Sequence, residues 1–158
     1  MNKTLYIIFL LTIFYGNIVK ASADLQIPRF VSLKSDSANA RFGPGAKYDI
    51  KWQYIKKNMP IEIIAEFEDW RKVRDVQGDE AWLHRAMLSG RRTAIITNKT
   101  QFIREKPDED SKPIAKLEVG VSGILKSCQK DYCLFSIRGY EGWIGKKFIW
   151  GAYKDETF

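Results

Sequence analysis

The sequence predicts an all-β protein made of two small units in tandem. One pattern occurs twice at an offset of 61 residues: Gly78, Glu80, Trp82, Leu83, Arg85, Met87, Leu88 and Gly90 match Gly139, Glu141, Trp143, Ile144, Lys146, Phe148, Ile149 and Gly151. Two copies at one offset describe a duplicated unit of about 60 residues, whereas a solenoid needs about three repeats to bury a continuous core. Turn signals arrive every 8–12 residues, the cadence of a β-sandwich or barrel. No stretch keeps apolar residues at helical spacing over three turns.

The elements follow in order. Residues 1–23 read as a secretory signal peptide: Lys3 opens a basic start, Leu5 to Tyr15 is apolar, and Ala21-Ser22-Ala23 offers small residues for cleavage after Ala23. That apolar run is shorter than the roughly 20 residues a membrane span needs, so no span is expected after cleavage. Phe30 to Leu33 is the first strand. Trp52 and Tyr54 alternate with polar residues, as in a half-buried strand. Pro60 opens the β-branched run to Phe67, and a turn at Glu68-Asp69 leads to Trp70–Arg74. A further turn at Gln77 to Asp79 leads to Ala81–Leu83.

The second copy repeats this order. Gln101–Arg104 is followed by a charged, Pro-bounded loop from Glu105 to Pro113, then Ile114–Leu117, Ser122–Cys128, Cys133–Ile137, a turn at Arg138-Gly139, and Trp143-Ile144. Arg91 to Ile96 reads as the closing strand of the first unit. The units are therefore expected at 24–97 and 98–158, joined by a short, stiff link.

Cys128 and Cys133 are the two cysteines, and they flank a tight turn between two strands. In an exported protein they are expected to form a disulfide across that hairpin. Cys-x4-Cys without further ligands is a poor zinc site. Beyond residue 23 the chain keeps 24 basic against 19 acidic residues, spread over both units. This mild surplus favours loose attraction to anionic surfaces. No run of five or more basic residues occurs, so nucleic acid is not an expected partner.

Asn39-Ala40-Arg41-Phe42-Gly43-Pro44-Gly45-Ala46-Lys47-Tyr48 resembles the Asn-Val-Arg-x-Gly-Pro-Gly-x-x-Tyr motif that opens bacterial SH3-like (SH3b) domains. The stretch from Gly78 to Gly90 resembles the Gly-x-x-Gly-Trp-Val segment that closes them, with Ala81 in place of the second glycine and Gly142 keeping it in copy two. Copy two retains Ile103-Arg104, but Glu105-Lys106-Pro107-Asp108 stands where Gly-Pro-Gly would be. The likeness covers nearly all of 30–151. It implies a five-stranded barrel per copy, with a single 3₁₀ turn within Leu83–Leu88. It also implies binding without catalysis, outside the cytoplasm, often at peptidoglycan or its peptides. Gly43 and Gly45 are expected to give a sharp turn with positive φ.

The residues agree on the absence of a catalytic set. His84 is the lone histidine, at a strand end, and its only potential thiol partners lie on the other unit's hairpin. The acidic clusters Glu66 to Asp69 and Asp108 to Asp110 read as solvated loop charge rather than a glycosidase pair. Neither a cofactor nor a metal site is expected. Arg41 and Arg104 recur at one position and read equally as salt-bridge or ligand residues.

Aromatic side chains are the binding candidates: Tyr48, Trp52, Tyr54 and Trp70, all in copy one. Such side chains give contact area to sugars or extended peptides at low entropy cost. Trp82 and Trp143, repeated in register, read as core. The expectation is a periplasmic or secreted, non-enzymatic binding protein of the bacterial envelope. Its partner would be cell-wall glycan or stem peptide; the alternative is an envelope protein bound by an adaptor or complex subunit without wall affinity.

Overall fold

A computed structural model describes residues 25–158; the expected signal segment and its cleavage point lie outside the described residues. The chain is all-β, in two antiparallel sheets of seven strand segments each. The first sheet uses β1 (Arg29–Leu33), β2 (Ala38–Arg41), β3 (Ile50–Tyr54), β4 (Pro60–Phe67), β5 (Trp70–Arg74), β6 (Glu80–His84) and β7 (Leu88–Ser89). The second uses β8 (Thr93–Ile96), β9 (Gln101–Arg104), β10 (Pro113–Leu117), β11 (Ser122–Gln129), β12 (Tyr132–Ile137), β13 (Tyr140–Gly145) and β14 (Ile149–Trp150). Their orders are β3-β2-β6-β5-β4-β1-β7 and β10-β9-β13-β12-β11-β8-β14, so one topology is built twice. A single 3₁₀ turn precedes the last strand of each unit, at Arg85–Met87 and Lys146–Phe148.

Each sheet has seven strand segments where the resemblance implies five, and one of the added segments is the tail of the duplicated pattern, itself a strand. Leu88 and Ser89 return to pair with Leu33 and Ser32, and Ile149 and Trp150 pair with Ile96 and Ile95. The same pairing corrects the reading of Arg91 to Ile96. β8 lies between β11 and β14, so this segment opens the second sheet and does not close the first. A strand's neighbours are set by long-range hydrogen bonds, which its local composition does not encode.

Each core is a small apolar cluster on one face of its sheet. In the first unit Leu33, Ile61, Ile63, Val73 and Leu83 are buried together with Ala38, Ala40 and Tyr54. In the second, Ile96, Ile103, Leu125, Phe135 and Ile144 pack with Cys128 and Cys133. The cysteines stand directly opposite each other in the β11–β12 pair and are disulfide-bonded, as expected. The turn glycines of the repeat, Gly78 and Gly139, both sit at positive φ (90° and 84°), a conformation glycine adopts without a Cβ penalty.

The units pack against each other. Phe30 meets Trp150 edge-on at 4.9 Å and Tyr153 at 4.7 Å between ring centres. The Tyr153 hydroxyl donates to Glu62 Oε1 at 2.9 Å, and Lys56 Nζ donates to the Gly120 carbonyl at 2.8 Å. The tail folds back beneath this contact. Phe158 and Cys128 exchange both backbone hydrogen bonds (3.1 and 2.9 Å), which covers an open stretch of the β11 edge. Arg92 pairs with Glu156 and donates to the Gly151 carbonyl at 2.8 Å. The buried Lys146 ammonium donates to the carbonyls of Lys154 and Glu156.

Candidate functional site

Strand alternation sorts the candidate side chains before any ligand is considered. Along β6, Ala81 and Leu83 are buried, so Glu80, Trp82 and His84 face outward. Along β5, Val73 is buried, so Trp70, Lys72 and Arg74 share that outer face. Cross-strand register then sets Trp70 beside His84, Lys72 beside Trp82, and Trp82 beside Arg41. Trp70 and His84 touch edge to face at 5.4 Å. His84 also caps the 3₁₀ turn, its Nδ1 accepting from the Ala86 N–H at 3.2 Å.

The second unit repeats this face with changed residues. Tyr132 stands beside Gly145, Leu134 beside Trp143, and Trp143 beside Arg104. Trp82 and Trp143 are half-buried on the outer faces, which corrects their reading as core. The cores are filled by aliphatic side chains instead, with Tyr54 in the first and Phe135 in the second, and the neighbouring Leu83 and Ile144 take the inward parity.

Arg41 and Arg104 resolve alike. Each guanidinium donates to a carbonyl across its β-hairpin loop, Arg41 to Tyr48 and Arg104 to Ser111, both at 2.6 Å. Neither forms an ion pair among the described residues; each ties its loop to the sheet beside the outer tryptophan. The loop in the first unit is shaped by packing. Gly43 and Gly45 do not have positive φ, contrary to expectation. A Cβ on Gly43 would sit 2.5 Å from the Tyr48 ring, so glycine is needed there for close approach.

The four residues predicted to bind ligand do not share one face. Tyr54 is in the core at 7% exposure, its hydroxyl donating to Asp75 at 3.0 Å. Burial, then the Asp75 charge, holds its phenol above the ordinary value. Trp52 packs against the core and meets Tyr54 edge to face at 5.9 Å. Tyr48 stands on the loop, 38% exposed. Trp70 alone of the four lies on the outer strand face. Alternation within β3 pairs Trp52 with Tyr54 on the inward parity, and this could have been read from the sequence had the β2 partner been known.

Two concave regions lie on the second unit. One, of about 690 Å³, is bounded by Glu109, Asp131, Tyr132, Gly145, Lys147 and Lys154 among others. The other, of about 290 Å³, is bounded by Phe102, Arg104, Glu109, Tyr132, Trp143 and Phe148 among others. Both reach Tyr132, Gly145 and Glu109, and the Lys147–Glu109 ion pair (2.5 Å) spans the space between loop and 3₁₀ turn. The hydrogen bond and charge of Lys147 hold the Glu109 carboxyl below its usual range. Gly145 opens this place: its counterpart His84 fills the equivalent position against Trp70. The acidic clusters are drawn into ion pairs, Glu66 with Arg29 and Arg71, Asp69 with Arg85, and Glu109 with Lys147. Among the described residues no group of three or more His, Cys, Asp or Glu is arranged to hold a metal, and no helix is long and apolar enough to cross a membrane.

The family described as bacterial SH3 domain matches the chain twice, over residues 34–90 and 97–151. No curated protein matches the chain. Among solved structures, the chain is similar to NlpC2 from Trichomonas vaginalis, with 13% identity and a TM-score of 0.37, over 80% of this chain and 49% of that one. It is similar also to NlpC1 from the same organism, with 13% identity and a TM-score of 0.37, over 85% of this chain and 49% of that one. The chain spans about half the length of each of these two proteins.

Proposed function

The chain belongs to the bacterial SH3 domain family, and from that membership over both of its units we propose that it is a non-enzymatic binding protein of the bacterial envelope, recognising peptidoglycan or its stem peptides. The observation that carries this reading is the outer face repeated in both units: an arginine clamping its loop, a half-buried tryptophan beside it, and a second aromatic next to the 3₁₀ turn. An aromatic floor with a few placed charges suits a sugar ring or an extended peptide. On the second unit, exposed Lys147 and Glu109 offer opposite charges to the carboxylates and amines that wall peptides carry. The disulfide supports residence in an oxidising compartment, periplasmic or secreted.

In this reading the units divide between β7 and β8. Trp70 and Tyr48 contribute on the first unit, Tyr132 and Trp143 on the second, while Trp52 and Tyr54 support from behind. The adaptor reading draws on the outer edges of β3 and β10, which end their sheets and are open to an added strand.

The test is retention by purified, protein-free peptidoglycan at low salt. The native protein should be retained, and Trp70→Ala and the pair Tyr132→Ala with Trp143→Ala should each lower retention severalfold at unchanged secondary structure. No retention of the native protein overturns wall binding. Full retention of both variants overturns the assignment to this face. Clearing of a peptidoglycan gel would show hydrolysis and overturn the non-enzymatic part.

A further inference from the structure

The β2–β3 loop and the start of β3 carry apolar side chains that the fold leaves in water. Phe42 is 63% exposed and Ile50 49%. The ends of the loop hold them close together: the Phe42 N–H donates to the Asp49 carbonyl at 3.2 Å, and Ile50 stands opposite Arg41 in the β2–β3 register. Two lysines flank the loop that carries them. Lys51 Nζ lies 5.6 Å from the Phe42 ring centre and 4.8 Å from that of Trp52, and Lys47 Nζ lies 5.5 Å from that of Tyr48. Lys51 donates to the Glu80 carbonyl at 3.0 Å, a neutral acceptor. Among the described residues neither Lys47 nor Lys51 forms an ion pair, so both charges are unneutralised.

The duplication makes the patch stand out. Residues 42–57 hold four lysines and one acid, whereas the corresponding residues 105–120 hold three lysines and five acids. One topology thus presents a basic, apolar loop on one unit and an acidic loop on the other. Exposed phenylalanine and isoleucine flanked by unpaired lysines match the two layers of a bilayer interface, anionic phosphate above and hydrocarbon below. A hydrophilic polyanion would engage the lysines and leave Phe42 and Ile50 without a partner.

We propose that this patch docks the protein onto a bilayer surface containing anionic lipid, with Phe42 and Ile50 entering the headgroup boundary and Lys47 and Lys51 meeting lipid phosphates. The patch borders the first unit's wall-binding face, with Lys47 against Tyr48 and Ile50 opposite Arg41, but Phe42 and Ile50 are not among the side chains assigned to the wall, so vesicle binding and peptidoglycan retention are tested on different residues.

The test is co-sedimentation of the purified protein with phosphatidylglycerol–phosphatidylcholine vesicles, compared with phosphatidylcholine alone and with soluble polyphosphate as competitor. Binding is expected to the anionic vesicles only and to weaken with added salt. Phe42→Ser and Ile50→Ser should each weaken it about tenfold. Lys47→Glu and Lys51→Glu should each weaken it at least about fivefold. The Trp143→Ala variant should bind vesicles as the native protein does. Absence of binding to anionic vesicles at low salt overturns the proposal, as does unchanged binding by the Phe42→Ser/Ile50→Ser double variant. Binding to polyphosphate that survives loss of both apolar residues, with vesicle binding that is no tighter, assigns the patch to a polyanion and overturns the bilayer.

Discussion

Glu156 shows how a single side chain holds several parts of the molecule. Its carboxylate pairs with Arg92 and accepts the Tyr153 N–H at 3.1 Å, while Arg92 also faces the rings of Phe30 and Phe158. Burial pushes the Glu156 carboxyl up, but the Arg92 hydrogen bond, the Tyr153 N–H, and the charges of Arg92 and Lys146 outweigh it and hold the group below its ordinary value. A carboxyl depressed in the folded state stabilises the fold fully above its unfolded value. That stabilisation disappears as pH falls through the folded value. Glu156→Gln should therefore lower the thermal midpoint near neutral pH, and the gap to the native protein should close as the pH falls below the ordinary carboxylate range. A gap that stays constant across this range would show that the carboxylate charge is not what matters.

The β11–β12 hairpin is the element in which covalent and hydrogen-bonded closure meet. The disulfide joins directly opposed residues, and the backbone of Cys128 also pairs with Phe158. Both cysteines are buried in the second core, so the bridge acts as core as well as crosslink. A loop this short gains modestly from crosslinking, about 2 kcal/mol on the chain-entropy account. The double variant Cys128→Ser/Cys133→Ser should lose at least that in urea unfolding, more if the buried hydroxyls find no partners. An unchanged midpoint would assign the bridge no part in stability. Much of this element was legible, since two strands, a short turn and the expectation of export suffice to pair two cysteines. The membership of β8 was not: Arg91 to Ile96 is apolar and β-prone in either sheet.

At the scale of the whole molecule, the two units meet through Phe30, Trp150 and Tyr153, with the Tyr153–Glu62 hydrogen bond at the margin. Units near 60 residues bury small cores, so a shared apolar contact contributes a large fraction of their stability. The native protein should melt in one transition. Phe30→Ala removes a buried ring worth about 3–5 kcal/mol and should split that transition into two or pull the first unit's melting ahead of the second's. Two separate transitions in the native protein would show that the contact does not couple the units.

The sequence by itself determined the all-β class, the duplication, the positions of most strands, the turn glycines Gly78 and Gly139, and the cysteine pairing. All of these rest on interactions between near neighbours in the chain or on a pattern seen twice. Only the tertiary structure decided which parity of each strand faces the core. Alternation along β6 is plain from Glu80 to His84, but shifting the inward parity by one residue exchanges Leu83 for Trp82, and chain-local chemistry favours burying the larger ring. The choice follows from the space left by Ile61, Ile63 and Val73, which Ala81 and Leu83 fill. That places the tryptophans outside, beside their clamping arginines, and Tyr54 inside. The candidate site was therefore only partly legible: its aromatic character could be read from composition, and its membership came from the register of strands distant in the chain.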